Sequence, residues 1–457
     1  MRNLTTAAAA AALLSMPVLA QEQAPPAEVL AVHDYVAAVS ADRIEQDIRT
    51  LVNFGTRHTL SETESDTRGI GAARRWIHDE FERISAECGG CLEVMYVSDT
   101  ISGERRIPEP TEVVSVIAIQ RGTLDPDRFV MMSGDIDSRV SDPLDGTSDS
   151  PGANDNASGM AGVIEAARVL SQHEFAGSII YAGLSGEEQG LFGGQIVAAH
   201  ALEQGWRIKG VLNNDMISNI AGINGVIDNT TARVFSEGTR YVETEDEARQ
   251  RRFTGGEVDS PSRNLARFVD RTADQYIPNL DVMMVYRLDR FGRGGHHRPF
   301  NEAGMPGVRI METNEHYDRQ HQDLRTEDGR VYGDTLEGVD FAHAAKLTSL
   351  NVAVMAQMAG APPFPANVEI EGAVQPSTTL RWDMATGEAA GNLAGYRVHW
   401  RLTDQPQWQW SRFVGRVGEY TLENVVIDNY YFGVSAVATD GSETPVVFPG
   451  PAGSFGE

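Results

Sequence analysis

Several short segments of the 457-residue chain place carboxylates and imidazoles just beyond apolar runs. Asp135 and Asp137 follow RFVMM, in VMMSGDIDSR, and Glu187 and Glu188 follow SIIYAGL, in LSGEEQG. Asp215 closes IKGVLNN, in NNDMIS, while His316 and His321 follow GVRIME, in ETNEHYDRQHQD. Asp155, in PGANDNASG, stands just ahead of a stretch with helical periodicity. Taken singly, each signal is weak. A Glu-Glu pair in a loop is commonly a solvated turn, and a lone His among polar residues is commonly at the surface. Several acids and a His, all after strands of one domain, are harder to assign to solvation alone.

Carboxylates that converge cannot all ionise without a counter-charge. Divalent cations supply it. Asp and Glu oxygens with one His nitrogen suit zinc, or a harder ion such as manganese or cobalt. Two ions roughly 3.5–4 Å apart, bridged by a carboxylate and a water, polarise a carbonyl and generate hydroxide. A neighbouring glutamate that is not a ligand takes the water's proton. Glu187 and Glu188 offer that division of labour, one as base and one as ligand.

The elements that must hold these residues alternate. EVVSVIAI (112–119), RFVMM (128–132), SIIYAGL (178–184), IKGVLNN (208–214) and GVRIME (307–312) read as strands. Helix-period stretches lie between several of them. In NASGMAGVIEAARVLSQH, Met160, Val163, Ile164, Ala167 and Leu170 share a face. Alternating strand and helix predicts an α/β fold, a central, mostly parallel (mixed) sheet between helices. Polar residues at strand ends then collect at the carboxyl edge, where such sheets place their ligands. Residues 236–265 are rich in charge and read as a surface excursion. The cluster GAPPFP marks a linker. Beyond it short strands recur, with Trp382, Tyr396, Val398 and Trp400 alternating, as do Tyr430, Phe432, Val434 and Ala436. That spacing predicts a small β-sandwich over 361–457, similar to a fibronectin type III module. Residues 21–360 form the larger unit.

The first twenty residues have a basic Arg2, the apolar core AAAAAALLSMPV and the small-residue site VLA before Gln21. They predict a cleavable signal peptide, and a secreted or periplasmic protein. No later segment is long and apolar enough for a membrane helix. In an exported chain the only cysteines, Cys88 and Cys91, pair by default as a local disulfide. A net charge of −27 disfavours nucleic acid as a partner. It is accounted for by solubility, with further divalent cation binding as the alternative. The sequence sets no oligomeric state.

The ordered set Asp137-Ser138, GANDNASG, SGEEQGLFGG, NNDM and a late His resembles the M28 family of zinc aminopeptidases. The likeness spans most of 41–360, with FGTRHTLSETESDTRGIGAARRWI early and GGHHRPFNEAGMPGVRIMET late. The resemblance implies peptide substrates, removal of amino-terminal residues and two metal ions, zinc in the usual case. It implies that Asp155 bridges the ions, that Glu188 and His321 bind one and that Asp215 binds the other. Glu187 would be the general base, Asp137 would orient the first ligand from behind, and His297 would lie near the substrate. The position before it, His296, is often acidic in relatives. The family pattern His-x-Asp-Ser is here Asp-Ile-Asp-Ser, so Asp135 stands where a histidine ligand is expected. Three consequences are open: Asp135 coordinates in place of imidazole, the site holds one ion, or the site is inactive. The reading adopted is that Asp135 coordinates, with manganese or cobalt accommodated beside zinc because of its oxygen. Two rival functions are a glutaminyl cyclase-like single-zinc enzyme and a receptor-like relative without catalysis.

Overall fold

The computed structural model describes residues 24–456. The signal-peptide segment, 1–20, lies outside the described residues. An eight-stranded mixed sheet forms the larger unit. Its strands are β1 (Leu92–Ile101), β2 (Thr111–Gln120), β3 (Asp125–Asp135), β4 (Gly177–Leu184), β5 (Arg207–Asn214), β6 (Thr231–Phe235), β7 (Asp281–Val285) and β8 (Gly307–Glu312). Their order is β1-β2-β4-β3-β5-β8-β6-β7. The middle four, β4, β3, β5 and β8, run parallel. Antiparallel pairs flank them, β1 with β2, β2 with β4, and β6 with β8. β4 and β8 are buried along their whole length, as expected of strands covered on both faces.

Helices cover both faces. Ala157–Leu170 packs on one side with Gly69–Glu87 and Phe341–Gly360, and the faces read from the sequence are the buried ones. Ile77, Phe81 and Ile84 are fully buried, as are Met160, Val163, Ile164, Ala167 and Leu170. The start of Ala157–Leu170 crosses the end of β3 closely. A Cβ on Gly134 would sit 2.6 Å from the Gly159 carbonyl carbon, and a Cβ on Gly159 only 2.1 Å from the Asn214 oxygen. Only glycine lets these backbones meet, and that approach brings Asn156, at the helix start, to the tip of β3. Cys88 and Cys91 are joined by a disulfide between helix Gly69–Glu87 and β1.

Residues 236–265 depart from the expected surface excursion. Glu245–Thr254 is an exposed helix with a capping box between Thr244 and Glu247. From Pro261, however, the chain enters a helix whose Arg263 and Arg267 are buried. Arg263 donates to Ser236 and Arg267 pairs with Asp259, so charge there is satisfied inside the protein by a neutral acceptor and by an ion pair. β6 and the edge strand β7 are short strands that the sequence reading did not contain.

Beyond the proline cluster, two antiparallel three-stranded sheets face each other. One joins Ala366–Glu371, Thr378–Asp383 and Glu419–Leu422; the other joins Trp410–Gly415, Leu393–Leu402 and Tyr430–Ala438. Trp382, Tyr396, Val398, Phe432, Val434 and Ala436 fill a core of their own. Among the described residues no helix is long and apolar enough to cross a membrane.

Candidate metal centre

The four parallel strands end at one edge, and register aligns their tips. Asp135 pairs with Leu184, Gly134 with Asn214, and Asn214 with Ile310. Asp135, the Glu187-Glu188 turn after β4, Asp215 after β5 and the loop after β8 are thereby brought together. Asp155 arrives from the loop ahead of helix Ala157–Leu170. Asp334 holds that loop, accepting from the Asp155 amide at 2.6 Å and from the Asn154 amide at 2.9 Å. The buried Arg57 ties the same loops together by donating to the carbonyls of Ile136, Leu51, Pro151 and Gly152.

His321 Nε2 lies 2.9 Å from Glu188 Oε1 and 3.1 Å from Asp155 Oδ2. One ligand atom from each of these three residues falls within 4.8 Å of the others. Among the described residues this is the one cluster of its kind, and two oxygens with one imidazole nitrogen suit zinc. His321 holds a left-handed backbone, φ 49°, which costs a non-glycine residue about 1 kcal/mol or more and is tolerated where neighbours fix it. Arg139 braces the cluster from outside. Its Nε donates to Glu188 Oε2 at 2.7 Å and its Nη2 approaches His321 Nδ1 at 2.7 Å.

Asp137 does not touch a side chain of the cluster. Its two oxygens accept from the amides of Glu187 (3.2 Å) and Glu188 (3.1 Å), and Thr59 donates to it at 2.9 Å. It fixes the backbone that presents both glutamates. Glu187 lines a cavity of about 840 Å³ together with Asp155, Glu188, Asp215 and His321. Arginines stand around the mouth of the same cavity, Arg106, Arg139, Arg290 and Arg293.

Asp135 and Asp215 are engaged elsewhere. Asp135 Oδ1 is 2.5 Å from His296 Nδ1, and its Oδ2 accepts from Asn156 Nδ2 at 2.7 Å. Asp215 Oδ2 is 2.7 Å from Arg309 Nη2. His297 is fully buried, donates through Nε2 to the Leu288 carbonyl at 2.8 Å, and is not among the residues lining the cavity. The structure thus separates the expected ligands into a converging trio and two carboxylates with other partners.

Charge follows this division. Burial pushes Glu187 well above the usual carboxylate range, and Glu188, Asp215 and Asp135 push it further. Burial raises Asp137 to about 6, with Glu188 adding to it. Asp155 and Glu188 also pay for burial, but His321 outweighs it and holds both below their usual values. Burial opposes protonation of His321, yet Glu188 and Asp155 overcome it and raise its affinity for a proton. Asp135 lies well above its normal value through burial and the charges of Asp215 and Asp137.

Arg309 escaped the sequence reading, although a signal was present. It is a charged residue inside GVRIME, a run otherwise apolar up to its final Glu312. Arg139, next to the Asp137-Ser138 pair, and Asn156 carried no signal apart from their neighbours.

A mixed α/β sheet with an acidic, imidazole-bearing carboxyl edge places the chain among proteins with a candidate divalent-cation site on that scaffold. The family model for peptidase family M28 matches residues 115–338. A probable zinc metalloprotease of Leptosphaeria maculans is 43% identical over 417 residues, covering 91% of this chain and 96% of that protein. Another, of Pyrenophora teres f. teres, is 42% identical over 420 residues, covering 91% of this chain and 86% of its own. The chain belongs to peptidase family M28. Among solved structures, the LapA aminopeptidase of Legionella pneumophila matches with a TM-score of 0.51 at 21% identity, over 72% of each chain. LapB of the same organism matches at 0.50 and 18%, over 73% of this chain and 76% of that one. At such identities the likeness is one of fold.

Proposed function

We propose that this protein is an exported zinc-dependent peptide hydrolase that removes amino-terminal residues. The observation that carries the reading is the convergence of Asp155, Glu188 and His321 beside an unpaired glutamate, Glu187, in one cavity. The donor set fits zinc, and the curated relatives are named as probable zinc metalloproteases. A zinc ion in that trio would supply Lewis acidity toward a peptide carbonyl and lower the pKa of water.

The chain's own residues account for the remaining chemistry. Glu187 accepts a proton from the water that attacks the scissile carbonyl carbon. It returns that proton to the amide nitrogen as the carbon–nitrogen bond breaks, leaving a free amine and a carboxylate. A carboxyl whose proton affinity is raised by burial and acidic neighbours suits both transfers. Asp137 keeps the base and the ligand in place by holding their amides. Removal of amino-terminal residues is what the family resemblance implies, and the fold is shared with a Legionella pneumophila protein named as an aminopeptidase. The signal-like residues 1–20 support export, and the two facing sheets of the C-terminal unit support a fibronectin type III-like module.

A panel of peptides with free and acetylated amino termini tests this, with zinc content measured in parallel. Zinc-dependent cleavage of the free series alone is expected; equal cleavage of acetylated peptides would remove the amino-terminal assignment. The single converging trio also favours a second reading, a glutaminyl cyclase-like single-zinc enzyme. An amino-terminal Gln peptide separates the two, since cyclisation releases ammonia and hydrolysis releases glutamine.

A further inference from the structure

Every residue of β8 is buried, and Arg309 is the third of them. A guanidinium in that position keeps its charge and needs carboxylates around it. Arg309 has two. Its Nη2 is 2.7 Å from Asp215 Oδ2 and its Nη1 is 3.2 Å from Asp289 Oδ2. It also donates to the backbone oxygens of Asp215 at 3.1 Å and Gly294 at 2.9 Å. Asp289 in turn is held ionised, below its usual range, by Arg309, His297 and Arg290 against the cost of burial. The arrangement is a built ion-pair cluster directly behind one of the expected ligands.

A second divalent ion would have to sit on Asp215, Asp155 and the side chain at 135. Asp215 already faces a fixed cation. Asp135 has both oxygens satisfied, by His296 and by Asn156. Neither belongs to the converging trio. An ion placed there would meet the guanidinium at short range, and Arg309 is fully buried, so displacing it would strand Asp289 without its closest counter-charge. The residues present fit one ion and do not fit two.

We propose that Arg309 takes the place of a second metal ion: the protein binds one divalent cation per chain, at Asp155, Glu188 and His321, while Arg309 supplies permanent positive charge to Asp215 from behind. Arg309 is a positioning residue. It does not line the cavity, and it acts by pinning the Asp215 side chain and backbone oxygen at the wall. The inference rests on the metal-dependent reading above and replaces the dinuclear expectation drawn from the family resemblance.

The test is metal stoichiometry on the full chain, by equilibrium dialysis against Zn2+ or Co2+ followed by elemental analysis, with calorimetric titration as a second count. The expected result is one ion on the unmodified protein, lost in His321→Ala and retained in Asp215→Asn. Arg309→Met should admit a second Co2+, and Arg309→Lys should not. Should Arg309→Met fail to fold, the count on the unmodified protein and on Asp215→Asn still decides. Two ions on the unmodified protein would overturn the inference and leave the hydrolase reading standing; no ion would overturn both. One ion that survives His321→Ala but is lost in Asp215→Asn would also overturn it, as would a folded Arg309→Met protein that still binds one.

Discussion

His296 and Asp135 are hydrogen-bonded to each other, Nδ1 to Oδ1 at 2.5 Å, with both side chains buried. The resemblance to the M28 pattern bears on both positions. The pattern has a histidine where Asp135 stands and often an acid where His296 stands. In this chain the carboxylate is at 135 and the imidazole at 296, in direct contact. Burial lowers His296 to about 4 and raises Asp135 well above its usual range, with the charges of Asp215 and Asp137 adding to the latter. His296 Nδ1 and both Asp135 oxygens are thus occupied by protein partners.

Asp135→Ala should therefore cost stability without costing metal. It leaves His296 Nδ1 buried without its partner, and His296 Nε2 has no hydrogen-bond partner among the described residues. A loss of about 1–3 kcal/mol is expected for such a deletion. Denaturant unfolding with metal analysis on the same sample checks both parts. A folded variant that had lost its ion would show that Asp135 is a ligand after all.

Glu187→Gln should keep the ion and lose turnover by roughly 10²–10⁴-fold, the range for removal of a general base. The amide fills the same space but cannot take a proton from water. Glu188→Ala should do the opposite and empty the site. Rates and metal content measured together on the two variants separate base from ligand, and near-normal turnover in Glu187→Gln would end its assignment.

Arg139→Met should tighten metal binding. An arginine can only donate, so its contact with His321 Nδ1 leaves the ring proton on Nε2, facing Asp155 and Glu188. Coordination through Nε2 must displace that proton and disturb the Arg139 contact. A fixed charge about 4–6 Å from a divalent ion also costs on the order of 1 kcal/mol even in water-like surroundings. About a tenfold gain in Co2+ affinity is expected, read by competition with a chelating dye. Weaker binding in the variant would mean that Arg139 organises the ligands more than it opposes the ion.

Much of this was legible in the residues. Positions after strands for Glu188 and His321, and ahead of a helix for Asp155, carried the trio, because a parallel sheet delivers its strand ends and the following helix starts to one edge. Helical periodicity carried the buried faces of Gly69–Glu87 and Ala157–Leu170. The partner choice of Asp135 and Asp215 was not legible. It depends on Asn156, His296 and Arg309, which arrive from elements 21 to 161 residues away in sequence, and no local period reports such contacts. The stretch 236–265 is at the surface over Glu245–Thr254 and departs from that expectation at its end, from Pro261, for a related reason. Charge density suggests solvent, but Arg263 and Arg267 find acceptors inside the protein.

Glu312→Gln should flatten the dependence of stability on pH. Glu312 is buried and lifted to about 8 by burial, while accepting from Asn154 and the Asn219 amide. Its folded value lies above the unfolded one of 4.5, so its neutral form is favoured by folding. The sign follows: its contribution is full below about pH 4.5 and is lost progressively as pH rises through about 8. Gln mimics the protonated acid, so the variant should lose less stability than the parent between those limits. Urea midpoints across the range measure it, and parallel curves for the two proteins would refute it.

The C-terminal unit should prove harder to remove than a linker of prolines suggests. Its core is separate, yet a buried ion pair crosses to the larger unit. Arg401 Nη2 lies 2.8 Å from both oxygens of Asp259, which also accepts from Arg267 at 2.9 Å, and all three side chains are essentially buried. Arg267 in turn donates to the Pro406 carbonyl at 2.6 Å, and Lys209 reaches the carbonyl of Gly456 at 2.8 Å. Removing one partner of a buried pair costs about 3–5 kcal/mol, and Arg267 remains to offset part of that here. Arg401→Met is therefore expected to lower stability by about 2–3 kcal/mol, and a chain ending at residue 360 to melt well below the full protein. Calorimetry on the three proteins decides the point. A truncated chain that melted with the full protein would show that the two cores are thermodynamically independent and that the Asp259–Arg401 pair contributes nothing net.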